Sequence, residues 1–76
     1  MTDVVEGITA DPDVMHGKPV IEGTRVPVDV VLKTLADGAS IEEICTEFDL
    51  EEEQVFTAVR YAANRISNEE YRGLEA

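Results

Sequence analysis

Apolar positions recur every three or four residues from Val28 to Ile66, and in short bursts before that. Val28, Val31, Leu32 and Leu35 fall on one helical face, with Lys33 and Asp37 outside it. Asp29 is a suitable N-cap, because its carboxylate can accept from the free N–H groups of a first turn. Gly38 suits a left-handed stop. A first helix is therefore expected over about residues 30–37. Ser40-Ile41-Glu42-Glu43 has the spacing of a capping box, followed by an apolar face of Ile41, Ile44, Cys45 and Phe48. This second helix should end near Phe48, with Asp49 and Leu50 as the break. A third helix should start at Glu51 or Glu52. Leu50 and Val55 could staple its entry, and Val55, Ala58 or Val59, Ala62 and Ile66 form its stripe, widened by Phe56 and Ala63. Glu51, Glu52 and Glu53 complement the positive end of the helix dipole, and Arg65 suits the other end. Residues 67–76 read as a helix extension or a mobile tail.

The period before Val28 is that of strands and turns. Residues 1–7 read as a flexible leader, and Ile8-Thr9 as a very short strand. Asp11-Pro12-Asp13 opens a turn that leads into one helical turn over Val14-Met15-His16, ended by Gly17. Pro19-Val20-Ile21 and Thr24-Arg25-Val26 are β-favouring triplets joined by Glu22-Gly23, the pattern of a tight hairpin. Pro19 and Pro27 stand at its outer ends, where a missing N–H is tolerable. A hairpin this small must lie on helices or pair with another chain. The expected fold is mainly α: a three-helix, helix-turn-helix bundle over residues 8–66, preceded by a short β element.

Composition narrows the function classes. The chain has 76 residues, 43% of them hydrophobic, which suits one small domain with a thin core. At this size only about 60% of the unfolded surface can be buried, so a homodimer is expected. Seventeen acids against six Lys plus Arg give a formal charge of −11. Two readings of that charge stand. One is adaptation to a cytoplasm of molar salt, where the Debye length is about 3 Å and carboxylates keep the surface hydrated. The other is engagement of a basic partner. The even spread of acids along the chain favours the first. No apolar run approaches the ~20 residues that cross a bilayer, and the acidic N-terminus lacks a secretory stretch. Cys45, the single cysteine, cannot form an internal disulfide. A cytoplasmic protein is expected.

Catalytic chemistry is not expected. His16 and Cys45 are each alone of their type and lie in different elements, without metal-ligand spacing. Cys45 has Glu42, Glu43 and Glu47 nearby rather than a cation that would activate a thiol. No phosphate loop or serine elbow occurs, so no cofactor is expected. On the third helix Glu53, Thr57, Arg60, Asn64 and Ser67 form a polar stripe. Arg and Asn are the side chains that pair with guanine and adenine in a major groove. The plainer reading is a solvated face, since phosphate contact supplies most non-specific affinity and this chain has few cations. His16, Lys18 and Arg25 cluster near the hairpin and could hold an anion or a partner's carboxylate. The plainer reading pairs Arg25 with a local acid or with backbone carbonyls, while Thr24 fixes the turn.

The run I-T-A-D-P-D-V-M-H-G-K-P-V-I-E-G-T-R-V-P-V, followed after a helix by G-A-S-I-E-E-I, resembles domain-of-unknown-function family 433. The G-K-P-x-I-x-G-T-R-x-P core maps onto Gly17, Lys18, Pro19, Ile21, Gly23, Thr24, Arg25 and Pro27. The resemblance implies a homeodomain-like three-helix fold with a β-rich N-terminal arm. It also implies an antitoxin-like protein, often paired with a PIN-like ribonuclease toxin; such a module could also regulate its own promoter. Two departures bear on DNA reading: Glu51 stands where Ser or Thr usually opens the third helix, and three consecutive glutamates begin it. The alternatives are a stand-alone sequence-specific DNA-binding regulator and a homodimeric interaction domain.

Overall fold

The computed structural model describes the backbone of residues 2–75 and the side chains of residues 5–68. Three short strands come first: β1 (Thr2–Val5), β2 (Ile8–Ala10) and β3 (Val20–Ile21), antiparallel in the order β1-β2-β3. Residues 2–5, expected within a leader, instead form the sheet's outer strand. Gly7, at φ 87°, permits the reversal into β2, and Val5 then pairs with Ile8. The register shifts between Asp3 and Val5, which interrupts the alternation that marks a strand in sequence. On its other side β2 pairs Ile8 with Ile21 and Thr9 with Val20. Ile8, Thr9, Val20 and Ile21 are all buried.

Between β2 and β3 the Asp11 carboxylate accepts from the Asp13 N–H at 2.9 Å. A single 3-10 turn follows over Met15–Gly17, one residue later than the spacing suggested. Met15 and His16 both sit at positive φ there, a costly conformation for non-glycine residues.

The expected hairpin forms in part. Thr24 N–H donates to the Ile21 carbonyl at 3.0 Å across Glu22-Gly23, with Gly23 at φ 79°. The Thr24 hydroxyl donates to the same carbonyl at 2.7 Å and accepts from Val26 N–H at 3.0 Å. Because Thr24 takes that N–H and Pro27 has none to offer, residues 24–26 do not become a strand. They return beside β3 through Ile21 N–H to Val26 carbonyl (3.0 Å) and an isolated bridge from Val20 to Pro27.

Helix α1 spans Val28–Ala36, earlier than the expected residues 30–37. Its N-cap is Pro27, not Asp29, and the reason lies outside the helix. The Val28 N–H donates to the Pro19 carbonyl at 3.0 Å, so the returning strap fixes the start. Asp29 then lies inside the first turn, where a carboxylate still favours the positive end of the dipole. Gly38, at φ 104°, follows the Asp37 C-cap. Helix α2 spans Ile41–Phe48 and has the full capping box: Glu43 N–H donates to Ser40 Oγ at 3.1 Å, and Ser40 N–H donates to Glu43 Oε1 at 2.8 Å. Asp49 turns left-handed at φ 55° and sends the chain into helix α3, Glu52–Glu75. Glu51 offers no side-chain cap, but Gln54 Oε1 reaches back to accept from the Glu51 N–H at 2.7 Å. The helix-side half of a capping box is thereby retained.

One core joins sheet and helices. Ile8, Ile21, Val28, Val31, Ile44, Leu50, Val55, Ala58 and Tyr61 form it, with Leu32, Leu35, Ile41, Cys45, Phe48 and Ala62 partly buried around it. Fully burying one such aliphatic side chain stabilises by about 1.5–3 kcal/mol. Ser40 and Leu50 thus frame a helix held at both ends, with Ile44 fully buried between them. The stripe expected along α3 needs correction at its margins. Phe56 is 39% exposed and Ile66 54%, and Ala63 is also exposed, while Tyr61 closes the core. Past Ala62 the described side chains of α3, residues 63–68, are all exposed.

Candidate protein-binding surfaces

The motif residues build a strap rather than a pocket. Ile21 enters the core, Pro27 is buried at the start of α1, Gly23 and Thr24 make the turn, and Gly17 leaves the 3-10 turn at φ 81°. Pro19 supplies the carbonyl that starts α1. Lys18 Nζ lies 3.3 Å from Asp29 Oδ2, and Lys33 Nζ lies 3.8 Å from the same oxygen. Arg25 is exposed and makes no hydrogen bond or ion pair among the described residues. Among the described residues the expected pairing with a local acid or with carbonyls is not made, and the Thr24 hydroxyl ties the turn. His16 is exposed as well.

The polar stripe of α3 is partly occupied. Arg60 Nη2 donates to Glu53 Oε1 at 2.9 Å and approaches Thr57 Oγ1 at 3.4 Å. The Thr57 hydroxyl donates to the Glu53 carbonyl at 2.9 Å. Opposite Thr57 stands the β1–β2 turn, so close that a Cβ on Gly7 would lie 2.9 Å from Thr57 Cγ2. The turn and the helix enclose a groove lined by Val5, Glu6, Gly7, Thr57, Arg60 and Asn64 among others. Thr57, Arg60 and Asn64 are thus brought to one groove, whereas Ser67 lies exposed outside it. Thr57 is half-buried beside the turn, and Arg60 is exposed in a surface ion pair with Glu53. The opposing wall was the element missed in sequence. Its signal was Glu6-Gly7 between Val4-Val5 and Ile8, an X-Gly step between β-branched residues.

Six of the seventeen acids lie on α2 and at the start of α3. Glu42, Glu43 and Glu47 line a shallow concavity on α2 with Ser40 and Thr46. Glu51, Glu52 and Glu53 are exposed at the start of α3. The Ser40 backbone N–H, and then its hydroxyl, hold the Glu43 carboxyl below the usual glutamate range. Cys45 is half-buried behind this face. No group of three His, Cys, Asp or Glu side chains converges to hold a metal among the described residues. Nor, among them, is any helix long and apolar enough to cross a membrane.

A mainly-α module of three helices, strapped by a motif-bearing arm and carrying its acids on exposed helix faces, is the class defined by this fold. The chain belongs to the family of proteins of unknown function DUF433, whose sequence model matches residues 8–62. It is also similar to the uncharacterized protein y4eO of Sinorhizobium fredii (strain NBRC 101917 / NGR234), at 40% identity over 58 residues. That similarity takes in 75% of this chain and 26% of the relative, so the chain spans about a quarter of the relative's length. No solved structure matches the chain.

Proposed function

We propose that the chain is a small antitoxin-like binding module that works by covering a basic surface of a partner protein, a PIN-like ribonuclease toxin. The observation that supports this most is the exposed acidic face of α2 and the start of α3. Of Glu42, Glu43, Glu47, Glu51, Glu52 and Glu53, only Glu53 is in an ion pair among the described residues. Such an array can stand in for phosphates in an RNA-binding cleft, giving fast, selective association. No catalytic role is assigned. Promoter binding is the subsidiary reading, and stand-alone DNA regulation is less well supported, because Thr57 and Arg60 are engaged within the protein. Homodimerisation is supported by β1, the outer strand of the sheet, whose free side can pair with a second copy.

The test is an affinity pull-down at native salt with the full chain and with the double charge reversal Glu47→Lys/Glu52→Lys. A basic nuclease-like chain should co-purify with the former and be lost with the latter. Recovery of the bait alone, or equal recovery of a partner with both, would contradict the reading. A gel shift that weakens in Arg60→Ala and Asn64→Ala would favour DNA regulation instead.

A further inference from the structure

Next to the groove at the Gly7 turn, and sharing Tyr61 and Arg65 with it, a trough of about 310 Å³ runs between α1 and α3. Its floor is apolar: Pro19, Val28, Leu32, Tyr61, Ala62 and Ile66. Its rim is cationic. Lys18 and Arg65 line it, and Lys33 reaches the Asp29 carboxylate that lines it too. The Arg65 guanidinium carbon stands 5.9 Å from the centroid of the Tyr61 ring, within cation–π range. Among the described residues, two cations, Lys18 and Arg65, and one carboxylate, Asp29, line the trough, in a chain of net charge −11. That carboxylate is itself incompletely satisfied, since Asp29 Oδ1 is buried without a hydrogen-bond partner.

We propose that this trough is a docking groove for an acidic amphipathic helix of a partner protein, distinct from the acidic face and independent of the function proposed above. The shape selects a helix. Two walls are helices, and the Lys18-Pro19 stretch that completes the lining offers an extended peptide no backbone N–H: that of Lys18 donates to the Met15 carbonyl, Pro19 has none, and the Pro19 carbonyl is taken by the Val28 N–H. An occupant that must satisfy its own backbone hydrogen bonds while burying side chains is helical. The charge selects acids: aliphatic side chains on the floor and carboxylates reaching Lys18 and Arg65 at the rim. A second copy docking through the same patch would set these cations against their own counterparts. Like charges brought together across an interface oppose association.

The experiment uses the full chain and two synthetic helical peptides, one with a leucine face flanked by glutamates, the other identical but with lysines in their place. Binding is followed by amide shifts and by anisotropy. The glutamate peptide should bind about tenfold tighter or more and shift the amides of Leu32, Ala62 and Ile66. Arg65→Glu should abolish that preference, and Ile66→Ser should weaken both peptides. Both residues are exposed, so an unchanged melting midpoint verifies the fold of each variant. Equal binding of the two peptides, or no shift at millimolar peptide, would overturn the proposal. So would trough shifts that follow protein concentration alone, which would give the groove to a second copy. Failure of the nuclease pull-down leaves this result untouched, because the charge reversals there lie on the acidic face.

Discussion

The strapped arm and the helical unit share one core but are specified in opposite ways. In α2, each boundary is written within a turn of where it falls: Ser40 and Glu43 cap its start, and Asp49 ends it. In the arm, order comes from distant partners. Val5 meets Ile8 only because Gly7 reverses the chain, and Ile8 meets Ile21 across the intervening turn segment. The family motif lies in the arm, and most of its residues serve geometry there. Lys18 and Pro19 are the exceptions, since they also line the trough beside α1 and α3. An element made of non-local contacts is thus the one that fixes where α1 begins and what the helices can present.

The strongest way to break this contrast is to cut the shared core from each side. Ile44→Ala in α2 and Ile21→Ala in β3 both remove a fully buried side chain, and each should cost about 2–5 kcal/mol in denaturant unfolding. If the arm were an appendage, Ile21→Ala would cost little and unfold the arm alone. Next is Gly7→Ala, which places a methyl 2.9 Å from Thr57 Cγ2 at φ 87° and should cost about 1–3 kcal/mol. Its effect should be seen both in the sheet and at Thr57, since the two walls move together.

Ser40→Ala should cost about 1 kcal/mol, confined to α2. The linked pH effect has a definite sign. The Glu43 carboxyl is held low by Ser40, so its contribution is present above the ordinary glutamate value and is lost as pH falls through the lowered one. Acid titration followed by helicity should therefore show α2 loosening on the acid side, and Glu43→Gln should remove that dependence. The smallest effects are those of screening. If the acids are an adaptation to salt, the melting midpoint should continue to rise into molar KCl, where the Debye length is about 3 Å. A flat response from dilute to molar KCl would leave partner recognition as the role of the charge.

The uneven legibility of the sequence follows from the same contrast. The α2 boundaries and the Thr24 turn were readable because side chain and backbone partner lie a few residues apart. Asp29 was misread as a cap because the true start depends on the Pro19 carbonyl, which the strap brings in from another element. β1 was missed because two valines beside a glycine do not announce a partner strand, and the shift at Asp3 spoils their alternation. Phe56 and Ile66 match a helical stripe, but period alone does not reveal where the packing surface ends. For the candidate surfaces, the acids and the polar stripe of α3 are visible in sequence. The cover over Thr57 and the meeting of Lys18 with Arg65 at one trough are not, since each joins the arm to α3.

The most direct test of a protein-covering role is hydrogen exchange on the native complex recovered from the cell. Exchange over Ile41–Phe48 and the first turn of α3 should quicken on partner release and slow again on rebinding. Protection confined to residues 57–67, produced by duplex DNA with no protein partner present, would contradict it.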